Sequence, residues 1–305
     1  MIEVQNLRKS FDGKTVLDGL NFSVCRGEVY GLLGPNGAGK TTAINILCTL
    51  TNADAGTVTI DGSPVSALTK NLIGVVPQEI SVYRDLSCRE NLIFFATIYG
   101  LHRSQGIARA EELIRLFRLE EYANIEVAKL SGGWQRRVNI AVALVHSPTV
   151  LILDEPTAGL DIEARFELWR LIEYLRSTGV TILLTTHLLE EAEKLCNRIG
   201  IVQKGRIVAE GSLDELRAII PAKQLAIVVT EEDVMFRQKA YSFGWECRMY
   251  GDKLTLCLPE RFPLKEIVEK FSDITLSSVT LREIGLEHVY LEVTHEVDVS
   301  MDGLL

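Results

Sequence analysis

No apolar run in the 305 residues approaches the roughly 20 residues that a helix needs to cross a bilayer. The first residues, Met1–Asn6, also lack the basic and apolar regions of a signal peptide. We therefore expect any membrane role of this chain to depend on a partner.

Cysteine pairs at short spacing are absent as well. The sequence holds six cysteines but no C-x-x-C pair, and most of them have apolar neighbours. This pattern favours free thiols in a reducing cytosol over disulfides or metal ligands. The six are Cys25, Cys48, Cys88, Cys196, Cys247 and Cys257.

An excess of basic residues is also missing. The chain carries 32 Lys and Arg against 41 Asp and Glu, a net charge of −9. This balance provides no general attraction to nucleic acid or anionic lipid, although a local basic patch is compatible with it. A hydrophobic content of 47% is ordinary for a globular protein, and the length predicts about two domains.

A glycine-rich stretch, residues 34–42, reads G-x-x-x-x-G-K-T-T. The apolar run Val29–Leu33 before it predicts a strand, and Ala43–Leu47 after it has a helical apolar rhythm. Such glycines let backbone N–H groups converge on phosphate at a helix N-terminus. We expect Lys40 to reach the β- and γ-phosphates and the Thr41 hydroxyl to bind Mg²⁺. The predicted nucleotide-binding residues of this loop are Gly34, Asn36, Gly37, Ala38, Gly39, Lys40, Thr41 and Thr42.

The N-terminal third alternates polar and apolar residues, for example in Ile2–Val4 and Leu20–Val24, which predicts an antiparallel sheet. Phe11 lies at a predicted turn of this sheet. It could stack on an adenine ring, with Val16 beside the ribose, or it could simply pack in the sheet.

Two further strands end in polar side chains. Val150–Leu153 is followed by Asp154 and Glu155, and another buried-looking strand is followed by Gln78. Asp154 and the Gln78 amide oxygen suit Mg²⁺, and Glu155 suits a base that polarises water for attack on a phosphate. The alternative is two solvated carboxylates and an ordinary loop glutamine.

Residues 87–146 have helical patterning and form a predicted helical insertion. It contains Ser131, Gly132 and Gly133 just before the apolar helix Val138–Val145. Ser131 is a good helix N-cap, so this is a second candidate anion-binding helix terminus. Taken in isolation, such a cap would be purely structural.

The remaining candidates are Asp161 and His187. Asp161 precedes an amphipathic helix, and His187 ends the predicted strand that begins at Val180. A lone histidine after a strand is usually structural. In an open α/β sheet, however, ligands bind at the carboxyl ends of the strands, where His187 could hydrogen-bond a γ-phosphate.

The ordered set of motifs over residues 1–220 resembles the nucleotide-binding subunit of ATP-binding cassette (ABC) transporters. The resemblance implies a head-to-tail dimer that sandwiches ATP and Mg²⁺, with Asp161 at the dimer seam. It implies that one subunit's Lys40, Thr41, Gln78, Asp154, Glu155 and His187 face the other's Ser131, Gly132 and Gly133. Trp134 departs from the family, which commonly has glutamine at that place, and this puts the efficiency of hydrolysis in doubt.

The last part of the chain, residues 221–305, has the predicted order β-α-β-β-α-β of a small ferredoxin-like domain. Its ending, Leu281–Thr294, resembles the closing helix of ABC subunits of drug-, polysaccharide- or lipid-type exporters. This accessory domain either stabilises a dimer or senses a ligand. The predicted fold is thus an α/β P-loop NTPase core with a mixed sheet, an antiparallel β subdomain and a helical insertion, followed by this α+β domain.

We therefore expect an ATPase subunit, homodimeric and peripheral on the cytoplasmic face of the cell membrane. It would drive a separate integral membrane permease, in the direction of export, and would not bind nucleic acid. The alternative is a cassette ATPase without a permease that acts on nucleic acid or the ribosome, against which the acidic balance stands. A regulatory module without turnover would have little use for a base at Glu155.

Overall fold

The computed structural model describes residues 1–66 and 69–294. The chain divides into two compact units, Met1–Glu210 and Gly211–Leu305. The strands are β1 (Ile2–Phe11), β2 (Lys14–Val24), β3 (Val29–Leu33), β4 (Ala55–Ile60), β5 (Ser63–Pro64), β6 (Ile73–Val76), β7 (Val150–Asp154), β8 (Thr181–Thr186), β9 (Arg198–Gln203), β10 (Arg206–Gly211), β11 (Gln224–Thr230), β12 (Glu246–Tyr250), β13 (Lys253–Leu258) and β14 (Leu276–Arg282).

The helices vary in length from one to about four turns. They are α1 (Lys40–Leu47), α2 (Cys88–Ile98), α3 (Arg103–Leu116), α4 (Gly132–Ala143), α5 (Ile162–Ser177), α6 (Leu189–Leu195), α7 (Leu213–Arg217), α8 (Asp233–Ser242), α9 (Leu264–Lys270) and α10 (Leu286–Thr294). Among the residues described here, no helix is long and apolar enough to cross a membrane.

The first unit contains the predicted antiparallel sheet, with strand order β2-β1-β4-β5. Strands β1 and β2 are longer than the stretches of alternating polar and apolar residues that predicted them. Both strands continue to a tight hairpin at Asp12 and Gly13. These two residues have φ values of +48° and +78°, as the left-handed turns of two-residue hairpins require.

A six-stranded sheet forms the centre of the first unit, in the order β10-β9-β3-β8-β7-β6. Strands β9, β3, β8, β7 and β6 pair in parallel. The carboxyl ends of β3, β8, β7 and β6 therefore lie side by side at one edge, and the segments that leave them meet there.

The central strands are apolar on both faces because each face has its own core. Leu151 and Leu153 of β7 pack with the helical insertion and α5, in a cluster that includes Trp169. Val150 and Ile152 of the same strand pack with α1 and the antiparallel sheet. Burial on both faces explains why this strand reads as a continuous apolar run.

The helical insertion consists of α2, α3 and α4, between β6 and β7 in the chain. Helix α4 begins at Gly132 with Ser131 at its N-cap position, as the sequence indicates. Its inward face includes the buried polar residues Gln135, Arg136 and Asn139, so the apolar run from Val138 marks only part of the helix.

The second unit has strand order β12-β13-β11-β14 with every pair antiparallel, the ferredoxin-like arrangement that the sequence predicts. Leu281 and Arg282 pair with β11 as part of β14, so the predicted closing helix begins only at Leu286.

The chain divides after residue 210, whereas the sequence suggested a boundary after residue 220. The segment between these points forms α7, which packs against α10 of the same unit. Helix α10 is held to the sheet by Glu292, which accepts hydrogen bonds from the buried Arg248 (3.0 Å) and from Tyr250 (3.0 Å).

All six cysteines lie within the described residues and none forms a disulfide. Cys48, Cys88 and Cys257 are buried, and Cys25 is exposed. Burial raises the pKa of Cys48 to about 12 and that of Cys88 to about 11, so both remain protonated thiols at neutral pH.

The Phe271→Ala variant tests whether the second unit is stable on its own packing. Phe271 is fully buried and stacks on Phe236 at 4.3 Å. Truncation should cost about 3–5 kcal/mol of the second unit's unfolding free energy. Urea unfolding followed by Trp245 fluorescence should show this loss, with ATP affinity unchanged. Val268→Ala, at an exposed position of α9, the helix that ends just before Phe271, is the control and should have little effect.

Candidate active site

The phosphate loop joins β3 to α1, and its glycines are required by close packing. A Cβ on Gly34 would lie 2.4 Å from the Val202 carbonyl oxygen. Gly39 has φ +106°, and a Cβ there would lie 2.7 Å from Leu17. Helix α1 starts at Lys40 with no side chain capping its first N–H groups. Those groups are therefore available to an anion.

Lys40 folds over this loop. Its Nζ donates to the carbonyl oxygens of Gly34 (2.7 Å) and Pro35 (3.2 Å) and lies 3.5 Å from Glu155 Oε1. Burial lowers the pKa of Lys40, and the neighbouring Glu155 carboxylate opposes this shift. The side chain is 5% exposed, so its contacts hold it at the mouth of the loop.

Asp154, the last residue of β7, is fixed through both carboxylate oxygens. Thr41 Oγ1 donates to Oδ2 at 3.2 Å, and Thr185 Oγ1 of β8 donates to Oδ1. No group of three or more His, Cys, Asp and Glu residues suited to a metal occurs within the described residues. A hard divalent cation here would therefore need hydroxyl, amide or phosphate oxygens besides the carboxylate.

Glu155 contacts three other predicted site residues, Lys40, Gln78 and His187. It has φ +46°, a left-handed conformation that is uncommon for a non-glycine residue. Its N–H donates to both the carbonyl (3.1 Å) and the hydroxyl (3.2 Å) oxygens of Thr185, which hold this conformation in place. Its Oε2 lies 3.1 Å from His187 Nδ1 and 3.4 Å from Gln78 Nε2.

The segment that carries Gln78 is held by helix α4. The buried guanidinium of Arg136 donates to the carbonyl oxygens of Pro77 (2.7 Å) and Gln78 (2.6 Å). Burial lowers the pKa of Arg136, and Asp154 opposes this shift. Asn139 of the same helix accepts from the Ser81 N–H at 3.3 Å. A movement of this segment would therefore be transmitted to α4.

Sequence reasoning did not single out Thr185 or Arg136. Thr185 stood in an apolar strand, where a threonine has no distinct signal. Arg136 could have been found as a charged residue on the side of a helix that also carries Ile140 and Ala143, both buried.

Six of the eight predicted phosphate-binding residues, all except Gly34 and Ala38, line a cavity of about 260 Å³ together with other elements of the first unit. Val16, Gln78 and Glu155 contribute to its lining. Phe11 is outside it, at the β1–β2 hairpin, where its ring is 45% exposed and lies 5.1 Å from Lys9 Nζ. Its exposure means that Phe11 is not buried in the sheet, and stacking on adenine stays a prediction.

The second glycine-containing segment is placed elsewhere on the same unit. Ser131 and Gly132 are exposed, and the Ser131 hydroxyl makes no capping bond although it stands at the N-cap of α4. Ser131, Gly133 and Asp161 line a separate cavity of about 230 Å³. Asp161 caps α5 by accepting from the Ala164 N–H at 2.8 Å. Within one chain, this segment is therefore not part of the cavity beside Lys40.

The parallel sheet, the glycine loop before α1 and the acidic end of β7 define a P-loop NTPase. Comparison with known proteins gives the family. Residues 17–158 match the sequence profile of the family described as ABC transporter. The chain is 46% identical over 296 residues to the Nod factor export ATP-binding protein I of Burkholderia thailandensis, with 96% of each chain covered.

A second relative, the linearmycin resistance ATP-binding protein LnrL of Bacillus subtilis, is 34% identical over 305 residues, covering 96% of this chain and 98% of the relative. Among solved structures, a dimeric post-hydrolysis ATP-binding cassette bound to ADP and Pi is 27% identical with a TM-score of 0.63, covering 70% of this chain and 98% of that one. The chain belongs to the ABC transporter family, as an ATP-binding subunit with ATPase activity.

The Thr185→Val variant tests how the site is positioned. It removes the hydroxyl that Asp154 and the Glu155 N–H share, so both carboxylates should lose their alignment. We expect ATP hydrolysis to fall roughly tenfold or more while ATP affinity changes little. Steady-state ATPase assays and nucleotide titrations measure the two effects.

Thr181→Val is the matched control, because Thr181 is also buried in β8 and its hydroxyl also accepts a backbone N–H, from Gly27 at 2.9 Å. Both variants should lose about 1–3 kcal/mol of stability. Equal loss of hydrolysis in both would mean that Thr185 has no special part in the site.

Proposed function

We propose that this chain hydrolyses ATP at the interface of a homodimer and thereby drives export through a separate membrane permease. The observation that carries the proposal is the convergence of Lys40, Gln78 and His187 on the Glu155 carboxylate. These side chains come from loops that follow four neighbouring strands, and each has a distinct use in phosphoryl transfer.

ATP would bind with its phosphates over the loop at α1. The open N–H groups and the helix dipole favour negative charge there, and Lys40 would exchange the carbonyls of Gly34 and Pro35 for phosphate oxygens. The residues fit a magnesium ion, because the Thr41 hydroxyl and Asp154 carboxylate are already adjacent. Gln78 presents its amide nitrogen to Glu155, which leaves its oxygen for the cation. Bound Mg²⁺ would neutralise phosphate charge.

Glu155 would orient and polarise the attacking water. Its left-handed backbone and two bonds to Thr185 fix the carboxylate relative to Asp154, which supports this role. His187 is 41% exposed at its side chain and contacts Glu155 through Nδ1, so it could donate to the γ-phosphate from the open side of the site.

A second subunit would complete the site. The exposed Ser131 and Gly132 begin a helix whose N–H groups have no side-chain cap, yet they do not line the cavity beside Lys40. In a head-to-tail dimer, the partner subunit's Ser131 would cover the γ-phosphate. The dimeric cassette with ADP and Pi, to which this chain is similar, supports such an assembly.

The permease would dock on an exposed aromatic surface of the helical insertion. Tyr83 (52% exposed) and Phe94 (37% exposed) meet edge to face at 4.8 Å, and Ile98 is 61% exposed on the same helix as Phe94. The fully buried Asn91 fixes this surface by bonding the Tyr83 N–H and carbonyl, each at 2.8 Å. Because Tyr83 follows the Gln78 segment, docking there would reach both Gln78 and α4.

Export is the direction that the relatives favour, since one is named for Nod factor export and the other for linearmycin resistance. Their similarity to this chain extends over 96% of its length and so includes the accessory domain. We place the assembled protein on the cytoplasmic face of the membrane, where ATP is available.

Glu155→Gln tests the assignment of the base. Hydrolysis should fall by roughly 10²–10⁴-fold, because the amide cannot accept a proton from water. ATP binding should persist, and the variant should accumulate as an ATP-bound dimer on size-exclusion chromatography. Glu79→Gln, an exposed glutamate one residue after Gln78, is the control. Normal turnover by Glu155→Gln would refute the assignment.

Phe94→Glu tests the docking surface. A charge in a buried contact should cost about 2 kcal/mol or more of binding free energy, so the tagged chain should no longer cofractionate with membranes of its own cells. ATP hydrolysis by the purified chain should not change. The control is Val208→Glu. Val208 is 40% exposed and lies on β10, the edge strand at the other end of the six-stranded sheet from β6.

Stimulation of the wild type by RNA, with no membrane association, would favour the nucleic-acid or ribosome alternative instead.

A further inference from the structure

A cleft of about 530 Å³ between the end of α3 and helices α4 and α5 lies outside the machinery described above. Four arginines and one glutamate line it, and we refer to it as the arginine cleft. The charged lining residues are Arg115, Arg118, Arg137, Arg170 and Glu167.

The charges of the arginine cleft are not balanced by the protein. Glu167 is engaged with Arg137 at 2.6 Å. Within the described residues, 1–66 and 69–294, the side chains of Arg115, Arg118 and Arg170 make no hydrogen bond or ion pair. All three residues are exposed, and with Arg137 they place four positive charges against the single negative charge of Glu167 in one concave lining, although the chain as a whole carries a net charge of −9. Such a concentration of like charge favours an anion from outside.

The residue type narrows the chemistry of that anion. All four cations are arginines, whose planar forks bind phosphate and carboxylate through paired hydrogen bonds. One carboxylate carries a single charge, whereas a phosphate monoester carries about −1.5 to −2. Leu116, Leu171 and the half-exposed Tyr174 add apolar and aromatic surface to the lining. We propose that the arginine cleft binds a small phosphate-bearing anion.

Arg137 links the cleft to Trp134 and so to the exposed start of α4. Its guanidinium lies 4.5 Å from the ring of Trp134 and donates to the Phe117 carbonyl at 3.3 Å, and Trp134 packs on Tyr122 at 4.4 Å. A phosphate that draws Arg137 from Glu167 would change the surroundings of Trp134, which directly follows Gly133. The fluorescence of Trp134, which stands where the family commonly has glutamine, should therefore report binding in the cleft.

The test measures binding of inorganic pyrophosphate to the full chain by isothermal titration calorimetry, without magnesium. All proteins carry Lys40→Ala, which weakens the phosphate loop. Replacing the three unpaired residues (Arg115→Gln, Arg118→Gln and Arg170→Gln) should weaken binding at least tenfold. Trp134 emission should respond to pyrophosphate in the parent, and Trp134→Phe should remove that response.

The charge-matched control is the triple variant Arg103→Gln, Lys223→Gln and Lys253→Gln. All three residues are exposed and lie outside the cleft, and Arg103 is at the far end of α3, about 18 Å from Arg115 along the helix. Equal weakening in both triple variants, or in neither, overturns the proposal. The single variant Arg170→Gln, expected to weaken binding several-fold, repeats the test should the triple variant misfold.

A second arm identifies the source of the phosphate. The same proteins are sedimented with vesicles of phosphatidylcholine, either alone or containing phosphatidic acid. Cleft-dependent binding of pyrophosphate alone supports a free phosphate compound, and cleft-dependent binding of phosphatidic acid vesicles supports a lipid headgroup. Binding of polyglutamate without either phosphate probe overturns the proposal in favour of an acidic protein segment. None of these measurements requires hydrolysis, so they stand or fall independently of the role of Glu155.

Discussion

Parallel pairing of β3, β8, β7 and β6 is the constraint on which the rest of the structure depends. In parallel strands, every chain segment leaves the sheet at the same edge, so residues that are far apart in sequence become neighbours. Thr41 reaches Asp154 in this way, and Glu155 meets both His187 and Gln78. The apolar runs that build these strands are buried on both faces, which fixes the register of the polar residues that follow them.

The second organising contact is the buried Arg136, which joins α4 to the backbone at Pro77 and Gln78. A buried guanidinium without carbonyl partners would be strongly destabilising, so helix and loop are expected to move together. The same helix begins at the exposed Gly132 and carries Arg137 in the arginine cleft. The three contacts that we propose, with the partner's nucleotide, with the permease and with an anion, would thus all be connected to this one short helix.

The uncommon backbone of Glu155 has a physical reason within this arrangement. A left-handed residue directly after a buried strand turns the chain sharply and directs the carboxylate across the edge of the sheet. The two hydrogen bonds from its N–H to Thr185 offset the conformational cost, which is of order 1–3 kcal/mol. Strain of this kind persists where the surrounding structure over-determines it, as the neighbouring strand β8 does here.

The P-loop core, the ferredoxin-like order of the second unit and the identity of the residues at the strand ends could all be predicted from the sequence, because glycine spacing and apolar periodicity are local properties. The apolar pattern misplaced the start of the closing helix, since Leu281 and Arg282 take their conformation from pairing with β11. The roles of Thr185 and Arg136 and the proximity of Arg170 to Arg115 and Arg118 became apparent only in the folded chain. Thr185 carries no local pattern and Arg170 lies far from the other two arginines in sequence, so the significance of these residues depends on the neighbours that packing gives or denies them.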